Sequence, residues 1–317
     1  MGVLVLCGAY LIGCASITAK SGIYLAVPFN YQLGYWNECY LDMSFDGQGW
    51  GHVRTPLYTA PPPALCRNAS LFKLGSTYLM TYSSFLPSGT ITGESTSFGF
   101  ASGPDPLHLT HLTEVSLASC CNGVNTASPI VDENGELHVI VNAWTGTESG
   151  DLKLWEVHND SCTLADQSSC GSGWSVPMAL QCTTLSGCGN ADGSIRALDP
   201  AMVRTAGQYY LIAGGGAIAQ FTPSSSITGP FGPFSTVVPA NAEASSVVQT
   251  GPNTWRNIYI NTVNYQPYYV ETDNLASGAW GSPKPLTVPQ AHSDSWGTTR
   301  FSDLDTMRYI LGKDYHP

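Results

Sequence analysis

Five stretches of the chain share one pattern, and this repetition limits the fold more than any other feature. Each has a short apolar segment, a turn of Gly, Asp or Asn, and a second segment rich in Tyr, Ile, Leu or Val, which is typical of a β-hairpin. Their starts lie about 45 to 70 residues apart, a spacing that indicates a repeat architecture. They are NASLFKLGSTYLMTYSS from Asn68, ASPIVDENGELHVIVNA from Ala127, DPAMVRTAGQYYLIAGG from Asp199, EASSVVQTGPNTWRNIYINT from Glu243 and TTRFSDLDTMRYILGK from Thr298.

The composition favours strands over helices. Charged residues make up 11% of the 317, whereas Gly (33) and Pro (21) are abundant, which suits many short strands and turns. No extended apolar stripe of helical period competes with the strand pattern. The formal net charge of −11 repels phosphate backbones, so we expect no nucleic-acid partner.

Repeated units of this size predict an all-β chain folded as a five-bladed β-propeller. The last unit shows only two strand candidates, and the segments GIYLAVPF and WNECYLDMSF near the N-terminus supply two more. We therefore expect the fifth blade to be closed by N- and C-terminal strands, which removes an exposed sheet edge. The segment SFDGQGW is typical of a structural turn around Asp46.

Residues 1–19 are interpreted as a signal peptide or lipoprotein leader, and residues 20–317 as the propeller domain. The apolar stretch from Val3 to Cys14 is too short to span a bilayer but has the length of a secretory signal's apolar region. LIGC is similar to a bacterial lipobox, in which Cys14 would carry a lipid anchor. The alternative is a buried first strand. We expect a secreted or cell-surface monomer without a transmembrane segment.

Eight cysteines remain after this leader, an even number that predicts disulfides in an exported chain. Adjacent Cys120 and Cys121 are expected not to bond each other, so their partners are left open. The predicted pairs are Cys39–Cys66, Cys162–Cys170 and Cys182–Cys188.

In a propeller the first strand of every blade lines the central channel, so the first residues of the five units should face one small space. They are Asn68, Ala127 or Ser128, Asp199, Glu243 and the stretch 292–300. Asp199 is therefore predicted to stand at the channel mouth. The alternative for Asp199 is structural, because Asp-Pro at the start of a strand is a common turn dipeptide.

The motifs RNAS, TASP, LDPA, AEAS and HSDSWGTTR occur in that order over residues 68–317. This order resembles that of the five-bladed glycoside hydrolases of family 43 and their clan relatives. The resemblance implies acid/base cleavage of glycosidic bonds in an arabinose-, xylose- or galactose-type poly- or oligosaccharide. Glu243 would be the general acid, and Asp199 would hold Glu243 and raise its pKa, since neighbouring carboxylates resist joint ionisation.

The chain departs from this pattern at Asn68, which stands where the family has its catalytic base. An amide cannot take a proton from water at neutral pH, and an inverting glycosidase needs a base carboxylate about 6.5–9.5 Å from the acid. Three explanations stay open. Asp42, Asp46 or Asp294 serves as the base, the mechanism differs, or the protein binds sugar without hydrolysing it.

Further residues are predicted to bind the substrate. Arg67, Arg196 and Arg300 lie at or just before inner strands and could hold a carboxylate bidentately, which would favour a uronate or sialate substrate, with surface ion pairs as the alternative. Indole faces of Trp36, Trp50, Trp144 and Trp296 could stack on sugar rings, with core packing as the alternative. Asn68 would line the same channel.

No cofactor is expected. His292 loosely matches the fifth-blade histidine that, in the family, often lies by a bound cation or water, so a structural cation in the channel is left open. No CxxC motif occurs and the histidines are scattered, so no metal ligands are predicted.

Three hypotheses for the function follow from different classes of protein. The first is a glycoside hydrolase, and the second is a non-catalytic propeller that binds a glycan or a protein at its channel mouth. The third is a structural surface protein. A carboxylate opposite Glu243 would favour the enzyme.

Overall fold

The structure is a computed structural model that describes residues 22–29, 37–61, 64–83, 95–147, 151–184, 188–189, 196–288 and 294–312. The side chains of residues 54–55 and 294–296 lie outside this description. The predicted leader with Cys14, and also His292, lie outside the described residues. Within the described ranges no helix is long and apolar enough to cross a membrane.

The described chain is nearly all β, which confirms the predicted fold class at that level. Strands from both ends of the described chain meet in one sheet, where Ile23 lies opposite Phe301 in an antiparallel pair. This sheet contains β1 (Ile23–Phe29), β2 (Glu38–Ser44), β3 (Gly51–Thr59) and β19 (Asp294–Phe301), in the order β19-β1-β2-β3.

Two further sheets are four-stranded antiparallel meanders that follow the chain. The first contains β4 (Arg67–Leu74), β5 (Thr77–Ser83), β6 (Ser97–Gly103) and β7 (Thr110–Ser116). The second contains β8 (Gly123–Val131), β9 (Glu136–Trp144), β10 (Leu152–Thr163) and β11 (Met178–Ala179).

The fourth sheet has seven strands because one long strand serves two meanders. The N-terminal half of β15 pairs with β14, its C-terminal half pairs with β16, and Ala242 is matched on both sides. The strands are β12 (Ala201–Thr205), β13 (Gln208–Ala213), β14 (Gly216–Phe221), β15 (Phe234–Gln249), β16 (Trp255–Asn261), β17 (Gln266–Thr272) and β18 (Lys284–Pro285).

The first strands of the five units contact one another in sequence. β4 lies against β8, β8 against β12, β12 against β15, β15 against β19, and β19 against β4. The apolar core is divided in the same way among the gaps between successive units. The clusters include Leu25 with Tyr78, Phe100 with Val139, Trp144 with Leu211, Ile212 with Tyr259, and Tyr24 with Ile258.

The expectation that the last unit continues into a second strand is wrong. The segment after β19 forms a helix, α1 (Leu304–Leu311), and three N-terminal strands, not two, complete that sheet. The side chain of Asp303 caps the helix by accepting a hydrogen bond from the Thr306 amide at 2.9 Å, and such a cap satisfies one otherwise unpaired amide of the first turn.

The three predicted disulfides are confirmed, and the expectation for Cys120 and Cys121 is wrong because these neighbours bond each other. Their Cα atoms are 3.8 Å apart, the spacing across any trans peptide. The expectation took the wider spacing of ordinary disulfides as a limit. A tight turn orients the two residues, with both of their amides donating to the carbonyl of Leu117 at 3.0 Å.

Candidate functional site

A cavity of about 410 Å³ lies where the first strands of the five units meet. Its lining is mostly hydroxyl and apolar, and Asp199 is the single carboxylate among the described residues that line it. The polar lining includes Asn68, Ser70, Thr126, Ser128, Asp199, Ser245, Ser246, Thr298, Thr299 and Arg300.

The backbone is irregular at the point where these strands enter the cavity. Pairing shifts register after Arg67 in β4, after Val124 in β8 and after Glu243 in β15. Such bulges re-aim side chains and occur often beside functional sites. Asn68 (φ 47°) and Asp199 (φ 43°) adopt left-handed conformations there, which Asn and Asp tolerate better than other non-glycine residues.

Asp199 joins three of the units through hydrogen bonds. Its Oδ2 accepts from the backbone amide of Ala244 at 2.9 Å, and its Oδ1 accepts from the Thr126 hydroxyl and from Asn68 Nδ2 at 3.4 Å. The side chain is 7% exposed. This carboxylate therefore fixes the relative positions of β4, β8 and β15 at one level of the cavity.

Burial raises the pKa of Asp199 above that of an ordinary aspartate. The hydrogen bonds from Thr126 and Ala244 oppose this rise in pKa, as do the positive charges of Arg67 and Arg196. Desolvation is the largest effect, because the charged form loses its water without gaining a direct ion pair of equal strength.

The side-chain amide of Asn68 donates hydrogen bonds to its neighbours. Its Nδ2 reaches the Oδ1 of Asn125 at 3.0 Å and the Oγ1 of Thr126 at 2.8 Å, in addition to Asp199. An ionised carboxylate at this position would face three acceptor oxygens. The surroundings therefore suit an amide and oppose an ionised base.

Glu243 is half-buried and pairs with Ile260 across β15 and β16. The cavity lining begins one residue later, at Ala244, whose amide binds Asp199. Asp199 therefore contacts the backbone of the residue that follows Glu243. The role of Glu243 as a general acid stays a prediction.

Two of the predicted arginines lie on different strands, Arg67 on β4 and Arg300 on β19. Arg67 is close enough to Asp199 to lower its pKa, and its guanidinium carbon is 5.1 Å from the centroid of the Phe29 ring. Arg300 lines the cavity on β19, and its guanidinium carbon is 6.0 Å from the centroid of the Tyr24 ring. Binding of a substrate carboxylate by these arginines stays a prediction.

Neither Trp50 nor Trp144 is among the described residues that line the cavity, and Trp36 lies outside the described residues. Trp50 and Trp144 are buried, so their faces are not open to a sugar and the core alternative holds for both. The backbone of Trp296 belongs to β19, and its side chain lies outside the described part of the chain, as does all of His292.

Two of the aspartates suggested as alternative bases lie elsewhere. Asp42 is buried in β2, where its Oδ1 is 3.0 Å from His52 Nδ1; burial raises the pKa of Asp42 to about 6, and the His52 hydrogen bond opposes the rise. Asp46 accepts from the amides of Gln48 and Gly49, the turn role predicted for it. The side chain of Asp294 lies outside the description.

Sequence reasoning missed Thr126. The second unit was expected to present Ala127 or Ser128 first, but the bulge in β8 places Thr126 against Asp199. A bulge adds one residue to a strand and cannot be read from an alternating apolar pattern. The signal that was present is the polar pair Asn125–Thr126 at the start of an otherwise buried strand.

Comparisons with known proteins show the fold and no more. No protein-family model matches the chain, and no curated protein matches it in sequence. Solved structures of family 43 glycoside hydrolases do match, so the predicted resemblance is confirmed at the level of the fold.

Three of these structures illustrate the likeness. A thermostable family-43 glycoside hydrolase is 12% identical with a TM-score of 0.58, over 88% of this chain and 94% of that one. An α-L-arabinanase of Cellvibrio cellulosa, solved with arabinohexaose, is 13% identical with a TM-score of 0.52, over 80% and 89%. An arabinoxylan arabinofuranohydrolase of Bacillus subtilis, solved with cellotetraose, is 14% identical with a TM-score of 0.54, over 70% and 52%.

Proposed function

We propose that the protein is an exported, glycan-binding five-bladed β-propeller that recognises an arabinose-, xylose- or galactose-type saccharide in the central cavity. The cyclic order of contacts from β4 through β8, β12 and β15 to β19 and back supports the radial arrangement. The division of the core among five successive gaps between units supports it as well. Similar structures that were solved with arabinohexaose or cellotetraose support a saccharide as the ligand.

The observation that carries the proposal is the chemistry of the cavity lining. Hydroxyl groups such as those of Ser70 and Ser128 can donate to and accept from the hydroxyls of a sugar. Asp199, the one described carboxylate there, is already bonded by three donors. The lining also holds the cations Arg204 and Arg300, and its hydroxyl groups suit the hydroxyls of a saccharide.

The same lining favours binding over hydrolysis. Inverting hydrolysis needs two carboxylic groups on opposite sides of the reacting carbon. Among the described lining residues a second carboxylate does not occur, and Asn68 takes the place that the resemblance assigns to the base. Water activation would have to come from a group outside this set.

A blocking variant tests the binding site. Ser128 lines the cavity, and Ser128→Phe should fill part of it, whereas Ser119→Phe places the same ring on an exposed surface as the control. We expect calorimetric titration with arabino-, xylo- and galacto-oligosaccharides to give binding for the wild type and the control and none for Ser128→Phe. Equal binding by all three proteins would remove the cavity from the proposal.

Hydrolysis is the second candidate function, and one observation favours it. The carboxylate of Asp199 is bound to the amide that follows Glu243, as expected if Asp199 positions a general acid. The test is reducing-sugar release from arabinan, xylan and galactan by the wild type and by Glu243→Gln. Release that depends on Glu243 would establish the enzyme, and absence of release from every substrate would leave the binding function alone.

Export and the monomeric state belong to the proposal too. The four disulfides support an oxidising compartment, because such bonds persist mainly outside the cytosol. Residues 1–19 would be the leader, with Cys14 as the site of lipidation in a bacterial host. Mass spectrometry of the mature N-terminus, with light scattering for the mass in solution, checks both statements.

A further inference from the structure

The turn between β8 and β9 holds a group of metal-ligating side chains that the cavity does not use. Asp132, Glu136 and His138 each offer one donor atom, and the three donor atoms lie within 4.8 Å of one another. None of the three lines the central cavity. Glu136 and His138 are two residues apart on β9 and so face the same side of the strand.

The tautomer of His138 is set by a buried carboxylate. Its Nδ1 lies 2.7 Å from Oε1 of Glu156, a residue that is 1% exposed. Since an ionised carboxylate only accepts hydrogen bonds, the proton of the neutral imidazole belongs on Nδ1. The lone pair of His138 is then on Nε2, the nitrogen that metals bind when Nδ1–H is held by a carboxylate.

The Nε2 atom of His138 is buried and has no hydrogen-bond partner in the described structure. The residue is 8% exposed, so this nitrogen is shielded from bulk solvent. The nearest acidic oxygen, Oδ2 of Asp132, is 3.8 Å away, which is too far for a hydrogen bond. A buried, unpaired nitrogen facing a carboxylate is unfavourable unless a proton or a metal ion lies between the two.

A metal ion accounts for that separation. Two bonds of about 2.0–2.2 Å to one zinc ion, at a tetrahedral angle, place their donor atoms about 3.3–3.6 Å apart. The observed 3.8 Å needs an adjustment of only a few tenths of an ångström. Asp132 is also held in place, because its Oδ1 accepts from the amides of Asn134 and Glu136 and its Oδ2 accepts from Asn134 Nδ2 at 3.0 Å.

We propose that Asp132, Glu136 and His138 form a Zn²⁺ site, with Glu156 as the positioning residue that holds His138 and with solvent in the fourth position. An imidazole with two carboxylates is a donor set that Zn²⁺ accepts in proteins. The eight described cysteines are paired in disulfides and do not compete for the ion.

The experiment is a Zn²⁺ titration of untagged, EDTA-stripped and desalted protein, followed by calorimetry and by the melting temperature. Glu136→Gln removes one ligand at a half-buried position and keeps its size. Glu133→Gln removes a neighbouring carboxylate of the same turn that is not a ligand. We expect one Zn²⁺ per wild-type chain and a rise in melting temperature with Zn²⁺, since a ligand of the folded state stabilises it.

Only the ligand variant, Glu136→Gln, should lose affinity for Zn²⁺. Glu133→Gln should bind like the wild type, and Glu136→Gln should bind at least about tenfold more weakly, since loss of even an outer-shell partner costs about 10–100-fold. Failure of the wild type to bind Zn²⁺ would overturn the proposal. So would equal affinity of Glu136→Gln and the wild type, because the ion would then lie elsewhere. Tighter binding of Ca²⁺ than of Zn²⁺ would overturn the assignment of the metal.

Discussion

Replacing Asn68 by aspartate puts the arrangement at the cavity to a quantitative test. In the wild type, Nδ2 of Asn68 is 3.4 Å from Oδ1 of Asp199, and both side chains are buried. The substitution exchanges a donor for an acceptor at that point. Two carboxylates then share one site from which water is largely excluded, and such a pair resists joint ionisation.

The size of the effect follows from the distance. Two unit charges 3.4 Å apart at an effective dielectric constant of about 20 repel by about 5 kcal/mol. Keeping a proton on an aspartate of ordinary pKa, about 3.9, costs about 4 kcal/mol at pH 7, because each pH unit above the pKa is worth about 1.36 kcal/mol. Protonation is the cheaper of the two, so the pair should retain one proton at neutral pH.

The proton that the pair retains in the folded state determines how stability changes with pH. The pKa of the pair is raised in the folded state, so stability is fully present below the unfolded pKa and is lost as pH rises from about 4 towards the folded pKa. Asn68→Asp should therefore match the wild type near pH 4 and be less stable by about 4 kcal/mol at pH 7.

Urea denaturation across this pH range measures the difference directly. Asn253→Asp, at an exposed position, is the matched control and should show no comparable dependence on pH. A stability difference between Asn68→Asp and the wild type that does not change with pH would refute the contact between Asn68 and Asp199, and with it the geometry of the cavity.

Three other predictions concern stability. Burial raises the pKa of Asp42 to about 6, so the free energy of unfolding should fall by up to about 3 kcal/mol as pH rises from about 4 to 6. Asp42→Asn should lose this pH dependence in urea denaturation. A variant that retains the dependence would contradict the assignment to Asp42. Replacing Cys39 and Cys66 by alanine removes a disulfide between residues 27 positions apart. The free energy of unfolding should fall by about 3.5 kcal/mol on the chain-entropy account, and an unchanged urea midpoint would be the contrary result. Arg256 is 3% exposed, binds Glu271 Oε1 through two nitrogens at 3.2 and 2.7 Å, and lies 4.4 Å from the centroid of the Tyr269 ring. Arg256→Met should lower the free energy of unfolding by about 3 kcal/mol. A loss below about 0.5 kcal/mol, the size of an ordinary surface change, would refute the stabilising role of Arg256.

The fold could be predicted from the sequence wherever a local rule decides the structure. The repeated apolar–turn–apolar pattern located strands such as β4–β5 and β12–β13, since alternation and turn residues are local signals. Short cysteine separations gave Cys162–Cys170 and Cys182–Cys188. The segment after Asp303 was misread, because its run of Leu, Met, Tyr and Ile is compatible with a strand, and the helix depends on the cap.

The site was predicted less completely, because bulges and distant contacts determine it. Asp199 lines the cavity just before β12, but its bond to Thr126 depends on a register shift in β8. The zinc ligands proposed at Asp132, Glu136 and His138 follow no known spacing motif, and Glu156, which sets the tautomer, lies on another strand. Such groupings appear only once the strands are paired.

The central claim is that a saccharide binds in the cavity where the five first strands meet. A crystal structure of the protein soaked with arabino- or xylo-oligosaccharide tests it most directly. We predict a sugar ring with its hydroxyls in hydrogen-bonding distance of Ser70, Ser128 or the side-chain oxygen of Asn68. A saccharide bound only on the outer surface, or an unoccupied cavity at saturating ligand, would contradict the account.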